Sequence, residues 1–313
     1  MSIAFILVNF YYTAENTADV VEQGMLVFYT DPGKADIAKA DDAYVSSCVE
    51  TSGLYIATTD GIAAKEMGDD RYYCAYAKLS DGSYAYSMLY QYSPKKYAMN
   101  MLGKASTSEK QKALCVAMLN YGAAAQEYFG YNTDSLVNAE LTAEQQALVG
   151  AYDASLFVGA VGAEPNKIAG FAATANGFSQ KSATVSFDAA FSINYYFTIS
   201  QMPDGPVTFY YWSPADYKNA TALSPRNASG SIVMEDSGDG RYWAQISGIA
   251  AKELDKTYYV AVVYYSDLQL RSTGVIAYSL SKYCISKAVD GNAVQELAAA
   301  TAMYGYYAKA YFG

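Results

Sequence analysis

The chain has 313 residues, a net charge of −10 and 52% apolar residues, enough for two domains that each bury a core. With no basic surplus to displace counterions, nucleic acid is excluded as a partner, and an acidic surface disfavours anionic membranes. Tyr occurs 33 times and His not at all, which excludes a Ser-His-Asp triad, a Cys-His pair and imidazole-bound zinc while leaving carboxylate chemistry and Ca²⁺ open.

Read from the start, MSIAFILVNFYY carries no preceding positive charge, is followed by no small-residue cleavage site and is too short to span a bilayer. It reads as a strand over Ala4–Tyr12, and no other stretch approaches transmembrane length. Further strands are expected at Met25–Thr30, Ala43–Glu50, Leu54–Thr58, Tyr72–Lys78 and Tyr84–Gln91. Asp31-Pro32-Gly33 and Asp81-Gly82 supply turns, Pro by presetting φ and Gly by accepting positive φ. The period then changes. Ser93 caps a short helix with Pro94 at its first position, and Ser106 with Glu109 fits a capping box for a helix running to about Phe129. Leu114, Met118, Tyr121, Ala125 and Tyr128 give that helix its apolar stripe. Another helix is expected near Thr142–Ser155, and Pro165 marks the start of new strands at Ile168–Thr174 and Ala183–Phe187.

The landmarks then return in the same order. Gly61-Ile62-Ala63-Ala64-Lys65-Glu66 recurs as Gly248-Ile249-Ala250-Ala251-Lys252-Glu253, and Tyr72-Tyr73 as Tyr258-Tyr259. Tyr92-Ser93 matches Tyr278-Ser279, Tyr121-Gly122 matches Tyr304-Gly305, and Tyr128-Phe129-Gly130 matches Tyr311-Phe312-Gly313. Repeats of this length are whole domains. Strands of the second copy are expected at Val207–Trp212, Ser231–Glu235, Arg241–Ile246, Thr257–Tyr265 and Leu270–Tyr278, with Phe191–Phe197 aligned loosely on Phe5–Tyr11. A helical stripe follows at Leu297, Tyr304, Ala308 and Tyr311. Gly122 and Gly305 fall in mid-helix, at a cost of about 1 kcal/mol each, and imply a close backbone approach.

Ser247–Val263 resembles the E–F crossover of fibronectin type III and immunoglobulin-like sandwiches, with Tyr258 or Tyr259, and Tyr72 or Tyr73, at the tyrosine corner. The expected fold class is therefore α+β: two tandem copies of an Ig-like antiparallel β-sandwich, each followed by a helical hairpin coda. Residues 1–132 form the first module, lacking its leading strands; 133–165 form a helical connection; 166–313 form the second, complete module. The natural chain is expected to extend before Met1 as a longer repeat array.

Candidate sites are few. Cys48, Cys74, Cys115 and Cys284 align with Val233, Val260, Ala298 and Ala98, so they read as small core residues, with a Cys48–Cys74 bridge optional. Asp41-Asp42, Asp69-Asp70 and the run Glu235–Gly240 offer oxygen ligands to Ca²⁺, yet none fits an EF-hand loop and ordinary solvated turns are the favoured reading, so no cofactor or metal site is assigned. Tyr84, Tyr86 and Tyr90 share the parity of Tyr92, and Tyr210, Tyr211, Trp212 and Trp243 lie on second-copy strands. Of these, Tyr84, Tyr86, Tyr90, Tyr210, Trp212 and Trp243 are the candidate contact surface for protein or sugar; against that stands the core face that any sandwich strand must have. Lys65/Lys252 and Glu66/Glu253 recur side by side on a crossover and read as a local ion pair or caps, so no catalytic residue is assigned.

The strings DGIAAKEMGDDRYYCAY, KALCVAMLNYGAAAQEYFGYNTDSLVNAELT and GIAAKELDKTYYVAVVY resemble a repeated module of large secreted or surface proteins from gut-dwelling Gram-positive anaerobes. The resemblance implies an extracellular setting and no particular reaction. The function expected is a non-catalytic structural or adhesion module, secreted or on the cell surface, whose partners are copies of itself or other surface modules. Its missing leading strands would leave a sheet edge open to a neighbouring chain. The alternatives are a carbohydrate-binding module of a glycan-degrading system, and a virion decoration or fibre protein.

Overall fold

A computed structural model describes residues 9–13, 19–49, 54–160, 178–187, 191–238, 240–289, 291 and 293–313. The fold is α+β with antiparallel sheets, and the chain divides between Val149 and Gly150 into two compact units. The expected strand Ile168–Thr174, Pro165, the turn Glu50–Gly53, the first five residues of Ala4–Tyr12 and the side chain of Cys48 lie outside the described residues.

Unit 1 runs β1 (Asn9–Tyr12), β2 (Val20–Phe28), β3 (Asp42–Val45), β4 (Ser47–Val49), β5 (Leu54–Thr58), β6 (Arg71–Leu79), β7 (Tyr84–Tyr86) and β8 (Tyr90–Tyr92), then α1 (Pro94–Gly103), α2 (Glu109–Phe129) and α3 (Ala143–Gln146). One sheet has the order β3-β2-β6-β7, with β8 also on β6; the other has the order β1-β5-β4. The two sheets face each other across Met25, Val27, Tyr73 and Ala57, with Phe10, Tyr44 and Tyr92 at the margin. Alternate residues of the same strands, Leu26, Phe28, Cys74 and Tyr76, point the other way and are covered by Ala35, Ile37 and Ala40 of the β2–β3 connection. The central strands are thus buried on both faces, which explains the unbroken apolar run MLVF in β2.

Unit 2 opens with a 3-10 segment (Ala154–Ala160) and continues with β9 (Phe178–Phe187), β10 (Phe191–Ile199), β11 (Thr208–Trp212), α4 (Pro214–Asn219), β12 (Gly230–Val233), β13 (Glu235–Asp236), β14 (Arg241–Ile249), β15 (Tyr258–Ser266), β16 (Gln269–Ser272), β17 (Ile276–Tyr278), α5 (Leu280–Lys287) and α6 (Gln295–Phe312). Its sheets have the orders β12-β11-β15-β16, with β17 also on β15, and β13-β14-β10-β9. Place for place these are the orders of unit 1, with β9 added outside β10. Tyr195 of β10 packs on Phe209 of β11 and Tyr278 of β17, at centroid distances of 5.0 and 6.4 Å, so the two sheets of this unit also share a core. The outer face is closed by α4: Tyr217 stacks on Tyr259 at 3.6 Å and 8°.

Strand register corrects the alignment of the tyrosine pairs. Arg71 pairs with Tyr92 on β8, and Tyr258 with Tyr278 on β17. Because Tyr92 and Tyr278 each precede the serine that caps the next helix, Tyr258 holds the place of Arg71 and Tyr259 that of Tyr72. The one-residue difference lies in a hairpin turn. Unit 1 closes β6–β7 with Ser80-Asp81-Gly82, Gly82 at φ 86°; unit 2 closes β15–β16 with Asp267-Leu268, at φ 50° and 59°. A three-residue loop with a glycine in the left-handed region and a two-residue loop with both residues there are the two commonest ways to close a hairpin.

Ser93 caps α1 as expected from sequence and Ser279 caps α5 in the same way, each accepting from the backbone N–H three residues on. The cap of α2 is Ser108 rather than Ser106: Ser108 sits at φ −65°, ψ 151° and accepts from Gln111 N at 3.3 Å. The buried side of α2 keeps Tyr121 and Ala125 of the expected stripe, leaves Tyr128 exposed, and is otherwise different. Val116, Leu119 and Ala123 are buried, Leu114 and Met118 only half so, because the helix packs against both α1 and the crossover turn. The expected helix over Thr142–Ser155 is the short α3, with Thr142 and Gln145 forming its capping box, followed by the separate 3-10 segment.

Candidate functional site

The site most open to a partner is the outer edge of β1 in unit 1. Among the described residues no strand pairs with that edge, whereas the edge of β10 in unit 2 is paired with β9 from Phe191–Phe187 to Ile199–Phe178. Beside β1 lies a cleft of about 300 Å³ bounded by Phe10, Tyr11 and Tyr12 on one side and by Ala75, Met88 and Tyr90 on the other. Its rim is apolar and exposed: Tyr11 is 54% accessible, Tyr90 58% and Met88 90%. Phe10 anchors the strand to the core by stacking on Tyr73 at 4.3 Å and meeting Tyr90 and Tyr92 edge-on. In unit 2 the matching stretch of β15 and the residue after β16 are sealed, with Val262 and Thr273 fully buried.

The aromatic residues singled out from sequence scatter. Tyr84 and Tyr86 stack on each other at 11° and pack on the outer core cluster, while Tyr92 packs on the inter-sheet core. The expected single row therefore does not form: the irregular stretch Ser87–Leu89 between β7 and β8 moves the later tyrosines to the other face. Tyr90 reaches the open cleft. Trp212 is a correction: it is fully buried, its Nε1 donating to Asn227 Oδ1 at 3.0 Å, because α4 and the following loop cover the face that carries it. Tyr210 is half-buried on the same cluster, and Trp243 is half-buried opposite Tyr196. The members of the cleft that sequence reading missed are Phe10, Tyr11 and Met88. The available signal was that NFYY, a strand at the margin of a sheet, carries neither a charge nor a proline.

The repeated glycines serve close packing against the crossover turn. A Cβ on Gly122 would stand 2.8 Å from Val137 Cγ2 and closer still to Met67 Sδ; one on Gly305 would stand 2.5 Å from Leu254 Cδ1. Gly248 supplies φ 73° at the end of β14. Beyond this shared packing the helical ends differ. In unit 1 the segment after α2 folds back: Val137 is buried, its N–H donates to Gln126 Oε1 at 2.8 Å, and Tyr131 donates to Asp69 Oδ2 at 2.5 Å. In unit 2 the corresponding place is a cavity of about 300 Å³ lined by Leu254, Asp255, Ser281, Gly305, Tyr306 and Lys309, among others.

The charged groups of the crossover do not converge on a reaction centre. Glu66 pairs with Arg71 at 3.2 Å rather than with Lys65, whose ammonium lies over the rings of Phe129 and Tyr131. Asp70 accepts from Lys96 and Gln91, Asp69 from Tyr131 and Asn132, and Asp41 and Asp42 from Tyr29, so these acids are engaged by protein donors. Among the described residues no group of three or more acids and cysteines is placed to hold a metal ion. Cys74 is a free thiol donating to Ser87 O, so the optional bridge to Cys48 is not formed. Burial pushes the Cys115 thiol up to about 11 and Cys284 up as well, which leaves both inert. The tyrosine corner is not formed as expected in unit 1: the Tyr72 hydroxyl accepts from the side chain of Gln91, and the Tyr73 hydroxyl is buried without a hydrogen-bond partner.

Among the described residues no helix is long and apolar enough to cross a membrane. Comparison with protein-family models, with curated proteins and with solved structures gives no match.

Proposed function

We propose that the chain consists of two copies of an Ig-like sandwich with a helical coda, and that it serves as a non-catalytic, extracellular structural or adhesion module that associates with copies of itself through a sheet edge. The observation that carries this reading is the contrast between the two units: the same strand order ends in a covered edge at β10 and in an exposed, aromatic edge at β1. Unprotected edges template pairing with another chain, and proteins that must stay monomeric shield them with charge, proline or cover. Repeated modules also suit a spacing role, since units can be added without redesigning a site. Light scattering over a concentration series tests the reading; a monodisperse monomer at high concentration sinks it.

A carbohydrate-binding role draws on one observation, the exposed rings of Tyr11 and Tyr90 on opposite sides of one cleft. A glycan array separates the two readings: binding lost on Tyr90→Ala favours sugar, and silence across the array favours the protein contact.

A further inference from the structure

Among the described residues the edge of β1 has a partner of the same kind in unit 2. In the sheet β13-β14-β10-β9 the last strand, β9, pairs with β10 on one side and, among the described residues, with nothing on the other. In strand order β10 is the counterpart of β1, and one packing contact is shared: Phe10 meets Tyr92 of β8 as Tyr195 meets Tyr278 of β17. Unit 2 therefore displays what a strand at the place of β1 accepts on its outer side: an antiparallel strand of sequence FSQKSATVSF.

We propose that the outer edge of β1 in one molecule pairs antiparallel with the outer edge of β9 in a second copy of this chain. This rests on the self-association reading and names its two surfaces. Three observations bear on the match. First, the contact brings no like charges together: β1 is NFYY and β9 carries a single lysine and no acid, in a chain whose net charge is −10. Second, neither strand contains proline, and the shielding devices of β9, Lys181 and the bulge between Phe178 and Gln180, lie in its first half, leaving Ser182–Phe187 regularly paired and uncharged. Third, β9 already brings a side chain to the seam between sheets: Phe178 stands edge-on to Tyr264 of β15 and Phe197 of β10, at 5.3 and 6.1 Å. The cleft beside β1, rimmed by Met88 and Tyr90, is the corresponding seam in unit 1 and is open.

The two surfaces are different, so the contact is heterologous. Each molecule would offer one β1 edge and one β9 edge, and such contacts propagate into open chains unless a rotation closes them into a ring. A β1-to-β1 contact would instead stop at a two-fold dimer.

The test uses the full chain with two edge-blocking variants at exposed positions, Tyr11→Lys on β1 and Ser182→Lys on β9. Sedimentation velocity over a concentration series should show the unaltered chain growing to successively larger species and each variant remaining a monomer. Mixed in equal amounts, the two variants should form one-to-one pairs and nothing larger, since the mixture retains one good β9 edge and one good β1 edge. Thermal unfolding matching the unaltered chain shows that each variant is folded; if either is not, Tyr11→Glu and Ser182→Glu replace the pair. Assembly that neither variant disturbs overturns this assignment and leaves self-association standing. Assembly stopped by Tyr11→Lys alone, with no pairing on mixing, overturns it in favour of a two-fold contact. A chain that is monomeric at every concentration overturns both.

Discussion

Unit 1 and unit 2 share a strand order and are open at opposite ends. Unit 1 has its helical end closed by Val137, with Gln126 and Asp69 holding the segment in place, while the β1 edge is exposed. Unit 2 has its sheet edge covered by β9, while a cavity remains beside Leu254 and Gly305. The comparison shows that burial within a module is decided by what is laid on it as much as by its own residues. Ser87 is exposed on β6's neighbouring hairpin, and Thr273, its counterpart by strand pairing, is fully buried. Likewise Gln126 satisfies a buried backbone N–H in unit 1, whereas Lys309, at the matching place on α6, lines an open cavity and pairs with Asp255.

The sharpest way to break the equivalence of the units is to remove matched core anchors. Phe28 and Trp212 end the matched strands β2 and β11 on the same covered face. Phe28→Ala is expected to destabilise unit 1, and Trp212→Ala unit 2, by about 3–5 kcal/mol each. Calorimetry should show a single transition moving in each case; similar losses confirm matched roles, and an unchanged Tm in either variant breaks the correspondence.

The helical glycines come next. Gly122→Ala and Gly305→Ala each force a methyl into the crossover turn and are expected to cost about 1–3 kcal/mol by overpacking. Chemical denaturation of the two variants checks this. A neutral result for Gly305→Ala would mean that the cavity of unit 2 absorbs the added methyl, which would sharpen the contrast at the helical ends.

Alkaline pH probes the buried tyrosines of both units. Burial holds the phenols of Tyr73, Tyr258 and Tyr278 up at about 12, and the hydrogen bond to Asp42 does the same for Tyr29, against an ordinary value of 10.0. Between these values the folded chain keeps protons that the unfolded chain has released. Stability is therefore full below pH 10 and falls as pH rises toward 12. Tyrosinate absorbance that rises together with loss of ellipticity is the expected outcome; tyrosinate forming in a chain that stays folded would contradict it. Smallest are the caps: Ser93→Ala and Ser279→Ala should each cost about 1 kcal/mol, seen as equal small shifts in the unfolding midpoint of their own units.

Much of the strand plan was legible because it rests on local chemistry. Asp81-Gly82 had to turn, Ser93-Pro94 had to start a helix, and the recurrence of GIAAKE marked a crossover that both units use. Tyr90 was singled out only through the parity it shares with Tyr84 and Tyr86, and the structure puts it on the other face from them. Trp212 was not legible, because its burial depends on α4 folding over a strand whose own sequence looks the same whether covered or bare.

By itself the sequence determined that a set of landmarks recurs in the same order, that strands precede helices around each set, that no imidazole chemistry is available, and that Ser93 starts a helix. These follow from residue type and short-range spacing. Only the tertiary structure decided the strand order, the displacement of Tyr72 onto Tyr259, the faces on which the tyrosines fall, and which edge is left bare. Those depend on pairing between residues far apart in the chain, where a one-residue difference in a hairpin turn shifts the correspondence between repeats and a strand's exposure is set by its neighbours.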